Sequence, residues 1–331
     1  MIVADSWQSQ GNIWEHVKIN NCESRNRPGY GVGCNVNGPS VIRVPSWLRS
    51  QALKIDDKPA KYYLYFAHHS GDYIRLAYAQ HICGPWHVYK PGTLHLDQAK
   101  AFTDHIASPD VHIDHKNEQI LMYFHGPIQR KPESQKTGVA ASKNGIDFIA
   151  SDEILGGSYF RVQELHKSYY ALAFGWYYID FYKSSNPLSN FEKRWTGENK
   201  LVETHEILPG GRHTALYFKD HTGYVFYSKI DEELENYGLD IDSPERIQLG
   251  TFKADPKQYL SWRPTNEQEV IKPLFGWEGA DLPVKPSQSG KARVPSHELR
   301  DPYLFKDGQK FYLFYSGAGE FSIGAAQIKF E

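Results

Sequence analysis

A short aromatic segment recurs five times along the chain, and this repetition constrains the fold more than any other feature. Each copy consists mainly of aromatic residues together with β-branched or aliphatic ones, and most copies are closely followed by glycine. Segments of this kind are typical of buried strands and are too short for helices. The copies lie at 62–67, 120–125, 169–174, 224–228 and 311–316. Their even spacing, apart from a longer last gap, indicates a repeat architecture.

Each aromatic segment lies between two further strand-like runs. The preceding runs are 39–44, 109–113, 158–162, 213–218 and 301–305. Polar turns separate the two runs, and the Asp-Gly pair within 306–309 is typical of a hairpin. A third run follows, as at 73–78 and 138–142, and then a turn ahead of an aromatic residue. Four strands in each unit of about 50 residues are the signature of a propeller blade.

The sequence therefore predicts an all-β fold, a five-bladed β-propeller with four-stranded antiparallel blades. Five blades and one insertion, at about 255–297 before the last blade, account for residues 1–331 as a single domain. The last blade runs out of chain after its third strand, and an open edge there would favour aggregation. An N-terminal strand is predicted to close this blade, with 13–18 as the expected segment. A two-sheet sandwich fits less well, because the repeats share length and order.

Composition narrows the class of partner. The chain carries a formal net charge of -2 and has no run of lysine or arginine, which argues against nucleic acid or an anionic membrane. Three cysteines without a CxxC pair indicate neither a disulfide framework nor a zinc site. The N-terminus lacks a signal-peptide pattern, and no stretch reaches the roughly 18 apolar residues of a membrane span. We expect a cytoplasmic protein, or a secreted one whose signal has been removed; the oligomeric state is not indicated.

Polar residues on the first strand of each blade are the candidates for chemistry, because in a propeller these strands line the central channel. The candidates are Asp110 in blade two, Tyr159, Arg161 and Glu164 in blade three, His213 in blade four, and Glu298, Arg300 and Asp301 in blade five. Blade one offers Asn37, Gly38 and Ser40, and no carboxylate. The alternative for the two aspartates beside proline is a turn-capping role.

Two of these strands carry motifs of a known kind. Ser-Pro-Asp-Val at 108–111 and Leu-Arg-Asp-Pro-Tyr-Leu-Phe at 299–305 are each followed by a turn and an aromatic strand. They resemble the blade motifs of five-bladed propeller glycoside hydrolases, namely family 43 and its relatives in families 32, 62, 68 and 117. The likeness covers nearly the whole chain as a repeat pattern, although the motifs themselves are short.

The resemblance implies a glycosidase that hydrolyses a glycosidic bond of an oligosaccharide or a polysaccharide branch. Inverting chemistry is implied, with a general acid and a general base on opposite sides of the bond. It matches Asp110 to an auxiliary, orienting aspartate and Asp301 to the aspartate of the Arg-Asp-Pro motif. Asp301 or Glu298 is then the expected base, and His213 or Glu164 the expected proton donor.

Other residues are expected to bind the sugar. Arg161 and Arg300 offer fixed donor forks for hydroxyl groups. Tyr159 and Trp176 offer faces on which a sugar ring stacks, although most aromatics must pack the blades. His69 and His125 lie at the ends of second strands. Glu278, between Trp277 and a glycine in the insertion, is placed to reach the mouth of the channel.

The sequence departs from family 43 in two blades. Asn37-Gly38-Pro39 stands where the family has its base, and Gly156-Gly157-Ser158 stands where it has its acid. Two alternatives therefore stay open: a non-catalytic carbohydrate-binding propeller, and a polysaccharide lyase or transferase on the same fold. No cofactor is required, although the channel is compatible with Ca²⁺ held by oxygen ligands or by His213 through water. P-loop, dinucleotide, HExxH and GxSxG motifs are absent.

Overall fold

The computed structural model describes residues 2–4, 35–129, 135–175, 178–194, 207–208, 210–229, 244–288 and 290–330. Over these ranges the chain forms five four-stranded antiparallel sheets and one two-stranded hairpin, joined by loops and short 3₁₀ turns. No helix in the described ranges is long and apolar enough to cross a membrane. The sequence prediction of a five-bladed, all-β propeller is confirmed.

The blades follow chain order, and the first strand of each is innermost. The N-terminal strand is β1 (Ile2–Ala4). Blade one comprises β2 (Asn37–Arg43), β5 (Tyr62–Ala67), β6 (Arg75–Ala79) and β7 (His87–Tyr89), with the hairpin β3 (Lys54–Ile55) and β4 (Lys58–Pro59) inserted. Blade two comprises β8 (Ala107–Asp114), β9 (Gln119–Pro127), β10 (Gln135–Ser142) and β11 (Ile149–Ala150).

The remaining three blades repeat this order. Blade three comprises β12 (Ser158–Leu165), β13 (Ser168–Gly175), β14 (Tyr178–Ser184) and β15 (Glu192–Lys193). Blade four comprises β16 (Gly211–Lys219), β17 (Thr222–Lys229), β18 (Ile247–Lys253) and β19 (Thr265–Ile271). Blade five comprises β20 (Leu299–Asp307), β21 (Lys310–Gly317) and β22 (Ser322–Phe330), and β1 completes it.

The ring is closed by the N-terminus, as predicted, but not by the predicted segment. Strand β1 pairs antiparallel with β22, with Ile2 opposite Phe330 and Ala4 opposite Ile328. Segment 13–18 lies outside the described residues, and the position predicted for it is occupied by β1. The predicted insertion is also shorter than expected, because β19 lies inside 255–297 and is the outer strand of blade four.

The aromatic second strands form the interfaces between blades. Every residue of β5 is buried. Because successive side chains of a strand point to opposite faces, alternate residues enter different cores. Tyr63 and Tyr65 pack in the core shared with blade two, whereas Leu64 and Phe66 pack in the core shared with blade five. A blade therefore needs apolar residues on both faces, which explains why these segments are apolar throughout.

Each inner strand contains one extra residue relative to its partner strand. In blade two, Ala107 pairs with His125 and Asp110 pairs with Tyr123, so three steps on β8 match two on β9. The same shift occurs in all five inner strands. At each shift one residue has a left-handed backbone, with φ between +47° and +62°: Gly38, Ser108, Tyr159, His213 and Asp301. We call these five the bulge residues.

The bulge positions are conformationally demanding. A left-handed backbone costs about 1–2 kcal/mol for a residue with a Cβ atom, and such strain persists where the surrounding structure imposes it. A bulge also re-aims the side chain that it carries. In blade one only glycine fits, because a Cβ on Gly38 would lie 2.4 Å from the Cα of Ser108. Four blades keep a non-glycine residue there despite the strain.

The residue two positions after the bulge connects neighbouring blades. The Oγ of Ser40 and the Oδ2 of Asp110 each accept a backbone N–H of the next blade at 2.8 Å. Arg161 Nε donates to a carbonyl of blade four at 3.1 Å, and Tyr303 Oη donates to a carbonyl of blade one at 3.1 Å. We call these four the tie residues, since they hold the inner strands together around the axis.

Candidate functional site

The bulge residues of blades three, four and five meet in one buried cluster. The hydroxyl of Tyr159 donates to Asp301 Oδ1 at 2.7 Å, and His213 Nδ1 lies 3.5 Å from the same oxygen. The rings of Tyr159 and His213 are 4.9 Å apart. We call Tyr159, His213 and Asp301 the central triad. The bulge residues of blades one and two, Gly38 and Ser108, bring no ionisable group.

Asp301 is completely buried and accepts hydrogen bonds on both oxygens. Its second oxygen, Oδ2, accepts the hydroxyl of Ser316 at 2.9 Å. Burial raises the pKa of Asp301, and the negative charge of Glu320 adds to the rise, while the hydroxyls of Tyr159 and Ser316 oppose it. A carboxylate in this environment takes up a proton more readily than an ordinary aspartate, which suits a general base.

His213 is held in one tautomer. The guanidinium of Arg212 lies 3.1 Å from His213 Nε2, and arginine can only donate, so Nε2 accepts and Nδ1 carries the hydrogen. Nδ1 faces Asp301 and the hydroxyl of Ser228, which is 3.3 Å away. Burial lowers the pKa of His213 well below its usual value, and the charges of Arg212 and Arg300 lower it further. His213 is therefore neutral and engaged, which argues against the predicted role of proton donor.

The two predicted substrate arginines are internal. Arg300 lies 2.6 Å from both Glu245 Oε2 and Glu298 Oε2, and it also donates to the carbonyl of Gly290. Arg161 places its guanidinium 4.3 Å from the ring centre of Tyr159 and donates to the carbonyl of Pro109. Both side chains are buried. Arg161 packs on a triad residue and Arg300 pairs with buried carboxylates, so their placement does not support the prediction that they contact substrate.

Two glutamates that sequence reasoning missed complete the cluster. Glu245 accepts the Ser228 hydroxyl at 2.7 Å and lies 3.4 Å from Arg212 Nε; burial raises its pKa, against the pull of the two arginines beside it. Glu320 lies 2.9 Å from His69 Nδ1 and accepts the N–H of Ala292. Glu245 precedes a third strand and Glu320 follows a second strand, whereas the catalytic candidates are predicted on the first strands or beside them.

One signal pointed towards Glu320. It lies in the glycine-containing turn after the aromatic strand of blade five, the place that His69 occupies after the aromatic strand of blade one. The position after an aromatic strand is therefore a sequence signal that His69 and Glu320 share. Glu245, which follows a proline ahead of β18, carries no comparable signal.

Asp110 is connected to the triad without belonging to it. Its Oδ2 accepts both the Val162 N–H and His112 Nε2 at 2.8 Å. Its Oδ1 lies 3.9 Å from Arg161, whose guanidinium packs on Tyr159. Burial favours the neutral acid, but His112, Arg161 and the N–H bond together lower the pKa of Asp110 below its usual value. Asp110 is thus a tie residue with a stable negative charge.

The remaining predicted residues are dispersed. His125 lies beside the triad, with its ring 5.8 Å from that of Tyr159. Glu164 is exposed near the hairpin end of β12, five residues beyond the bulge, so the structure does not bring it to the cluster. Glu278 is buried inside a 3₁₀ turn, where it accepts two backbone N–H groups and the hydroxyl of Tyr315, instead of facing the channel. Trp176 lies outside the described residues.

Among the described residues, no group of three or more His, Cys, Asp or Glu side chains is arranged to hold a metal ion. The calcium ion considered from the sequence stays a prediction. The cluster is instead organised by ion pairs between buried carboxylates and the guanidinium groups of Arg161, Arg212 and Arg300. Charge inside the propeller is therefore balanced by the chain's own side chains.

Comparisons with known proteins agree with this fold. The uncharacterized protein R118 of Acanthamoeba polyphaga mimivirus is 33% identical over 315 residues, which cover 90% of this chain and 85% of the relative. No protein-family model matches the chain. One similar solved structure comes from the GH130 family of mannoside phosphorylases, which contains glycoside hydrolases that target β-1,2 mannosidic linkages in Candida mannan. It superposes with a TM-score of 0.61 at 12% identity, covering 89% of this chain and 84% of the other.

A second structural neighbour belongs to family 43. CoXyl43, a β-xylosidase/α-arabinofuranosidase from a compost microbial metagenome solved with xylotriose, superposes with a TM-score of 0.57 at 15% identity, covering 93% of this chain and 95% of the other. At such identities the likeness concerns the fold. The five-bladed propeller is therefore shared with glycoside hydrolases of families 43 and 130, and the chemistry has to be argued from the site.

Proposed function

The chain belongs to the same family as protein R118 of Acanthamoeba polyphaga mimivirus and has the fold of the propeller glycoside hydrolases, and we propose that it hydrolyses a glycosidic bond. The observation that carries the proposal is the convergence of three strained bulge residues, Tyr159, His213 and Asp301, from three different blades. Non-glycine residues in left-handed bulges at the centre of a ring are typical of functional sites.

In the proposed mechanism Asp301 is the general base and acts through Tyr159. Asp301 is fully buried, and its Oδ1 accepts the Tyr159 hydroxyl, so in this proposal the tyrosine relays a proton from water to the carboxylate. Water attacking the anomeric carbon gives a proton to Tyr159 Oη, and the proton of Tyr159 moves over the 2.7 Å hydrogen bond to Asp301 Oδ1. His213 orients Asp301 through its Nδ1–H. Attack by water in a single displacement inverts the configuration.

The proposed substrate is a neutral sugar. Three arginines lie among five buried carboxylates, so the cluster has no surplus positive charge with which to attract a polyanion; the carboxylates are those of Asp110, Glu245, Glu298, Asp301 and Glu320. The net charge of -2 for the whole chain points the same way. The xylotriose bound by the family 43 neighbour is a sugar of this kind, and short neutral oligosaccharides are the first to be tested.

The decisive experiment measures hydrolysis of a panel of aryl glycosides and oligosaccharides by the wild-type protein and by Asp301→Asn. We expect turnover by the wild type and a loss of about 10³-fold in Asp301→Asn, because the general base is removed. Asp307→Asn, at the other end of the same strand, is the matched control and should keep its activity. Equal rates for wild type and Asp301→Asn would refute the assignment.

A second candidate function is sugar binding without catalysis. It is favoured by the bulge residues of blades one and two, Gly38 and Ser108, which leave the ring with a single carboxylate at a bulge position. Binding of an oligosaccharide by calorimetry, together with no product after long incubation, would select this candidate. An unsaturated product that absorbs in the ultraviolet would instead select a lyase.

A further inference from the structure

The proposed reaction needs a proton donor for the leaving oxygen, and the two residues predicted for this role are unsuited to it. His213 is neutral, with both ring nitrogens engaged. Glu164 is exposed at the far end of its strand. We propose that His69, oriented by the buried carboxylate of Glu320, is the proton donor. This inference rests on the proposed function and adds to it a catalytic residue and a positioning residue.

His69 is fixed by contacts of its backbone N–H and of its ring nitrogen Nδ1, while part of its ring is exposed to solvent. It follows β5, and its backbone N–H donates to Asn35 Oδ1 at 2.6 Å. Its ring nitrogen Nδ1 lies 2.9 Å from Glu320 Oε1. Among the described residues Nε2 has no hydrogen-bond partner, and 26% of the side chain is exposed to solvent. The ring is therefore fixed in orientation while one nitrogen is free to meet a substrate.

Glu320 supplies a permanent negative charge behind this ring. The carboxylate is buried, and it is bonded by Asn35 Nδ2 and the Ala292 N–H besides His69. Burial opposes ionisation, but His69, Arg300 and Asn35 hold the pKa of Glu320 at about 2. Because the Glu320 carboxylate can only accept, the 2.9 Å contact requires Nδ1 of His69 to carry a hydrogen. Nε2 is then the nitrogen left to meet the leaving oxygen, and in the proposed step it gives up the second proton of the ring.

One carboxylate and several basic groups surround His69. Glu320 contacts the ring from the turn between β21 and β22, and Arg300 lies 3.9 Å from the same oxygen of Glu320. Burial lowers the pKa of the neighbouring histidines, His68, His125 and His213, so they bring no positive charge at neutral pH. Glu320 is the only one of these groups in direct contact with the ring among the described residues. The Glu320 carboxylate is thus the group that fixes the orientation of the ring.

His69 and Glu320 are linked to the central triad through Arg300. The Arg300 guanidinium lies 3.9 Å from Glu320 and 2.6 Å from Glu245, and Glu245 lies 3.8 Å from His213 Nδ1. The proposal thus has two carboxylate-assisted groups in one connected cluster. Tyr159 with Asp301 is suited to accept a proton, and His69 with Glu320 is suited to donate one.

The proton transfers balance over one turnover. As the bond between the anomeric carbon and the leaving oxygen breaks, that oxygen takes the proton from His69 Nε2. The attacking water forms the new bond to the anomeric carbon and gives its proton through Tyr159 to Asp301. His69 is left neutral and Asp301 protonated, and proton exchange with solvent water restores both. One water molecule is consumed and no other reactant is required.

A leaving-group series tests the assignment, because a general acid matters only when the leaving group is a poor one. We expect His69→Gln to lose about 10²–10⁴-fold in kcat/KM with alkyl glycosides, and less than about tenfold with dinitrophenyl glycosides. His81→Gln, at an exposed histidine of the same blade, should leave both unchanged. Equal losses on both substrates, or none, would overturn the role of His69. Absence of hydrolysis by the wild type would instead overturn the proposed function.

The pH dependence of hydrolysis distinguishes proton donation by His69 from a purely structural role of Glu320. A donor that must be protonated makes activity fall at alkaline pH, where it loses its proton. Glu320→Gln removes the negative charge beside His69, so the alkaline limb of the activity profile should move to lower pH. In His69→Gln, measured with dinitrophenyl substrates, this alkaline limb should disappear. A uniform loss in Glu320→Gln with an unmoved limb would show that Glu320 only supports the fold.

Discussion

The bulge residues and the tie residues lie two positions apart on the inner strands, yet they have different roles. We call these two sets of positions the bulge layer and the tie layer. The bulge layer contains Asp301 and the tie layer contains Asp110, and both aspartates are fully buried. Asp110 is satisfied by a backbone N–H, His112 and Arg161, which lower its pKa. Asp301 has hydroxyl partners and a nearby carboxylate, Glu320, and its pKa is raised. The environments thus push one aspartate towards a fixed charge and the other towards proton exchange.

Stability and function are thus assigned to different positions of the inner strands. Tie residues make cation, carboxylate and backbone bonds across the gap between blades, so they stabilise the ring. Bulge residues adopt a strained backbone, which costs stability, and those of blades three to five carry the groups proposed for proton transfer. Substitutions in the tie layer should lower the free energy of unfolding, and substitutions of the triad residues in the bulge layer should lower activity.

The largest effect is expected for Asp110→Ala. It leaves the buried Arg161 charge and the Val162 N–H without their partner, and breaking a buried pair costs about 3–5 kcal/mol. Asp301→Asn should be at least as stable as the wild type at neutral pH, because the raised pKa shows that folding disfavours the ionised form. Chemical denaturation of both variants checks this. A more damaging Asp301→Asn would contradict the division into layers.

An intermediate effect is expected for Gly38→Ala. The new Cβ would meet the backbone of Ser108 in addition to adopting a left-handed backbone, and we expect a loss of about 3 kcal/mol. Gly308→Ala is the matched control, since Gly308 also has a positive φ of +62° but nothing within 4 Å of a new Cβ. It should lose only about 1 kcal/mol. If both variants lost the same free energy of unfolding in thermal denaturation, the close approach of Gly38 to Ser108 would not explain the effect.

The smallest effect is expected for Tyr303→Phe. The change removes one tie, the hydroxyl bond to the carbonyl of Val41 that links blade five to blade one, and keeps the ring packing. A buried hydrogen bond contributes about 1 kcal/mol, so the free energy of unfolding should fall by that amount. Hydrolytic activity should stay unchanged. A strong loss of activity would place Tyr303 with the triad, against the assignment of the tie layer.

Much of the fold could be predicted from the sequence. Strands such as 62–67 and 311–316 are apolar on both faces, and their repetition alone indicates blades. Pro39, Pro109 and Pro302 each follow a bulge residue, and proline fits a position where the ladder is interrupted. Even so, no bulge was predicted, because in blades three and four phenylalanine and threonine stand at this position. The five inner strands share one backbone geometry, but no residue type common to all of them indicates it in the sequence.

Alternation and turn residues are local properties of the chain, and they specify the number of blades and the inner strands that carry Asp301, His213 and Tyr159. Which polar residues meet depends on how the blades close into a ring. Glu245 and Glu320 reach the cluster from outside the strands, and His69 contacts Glu320, which is 251 residues away in the chain. Ring closure creates these contacts, and no local pattern of residues records a contact between blades that are far apart in the chain.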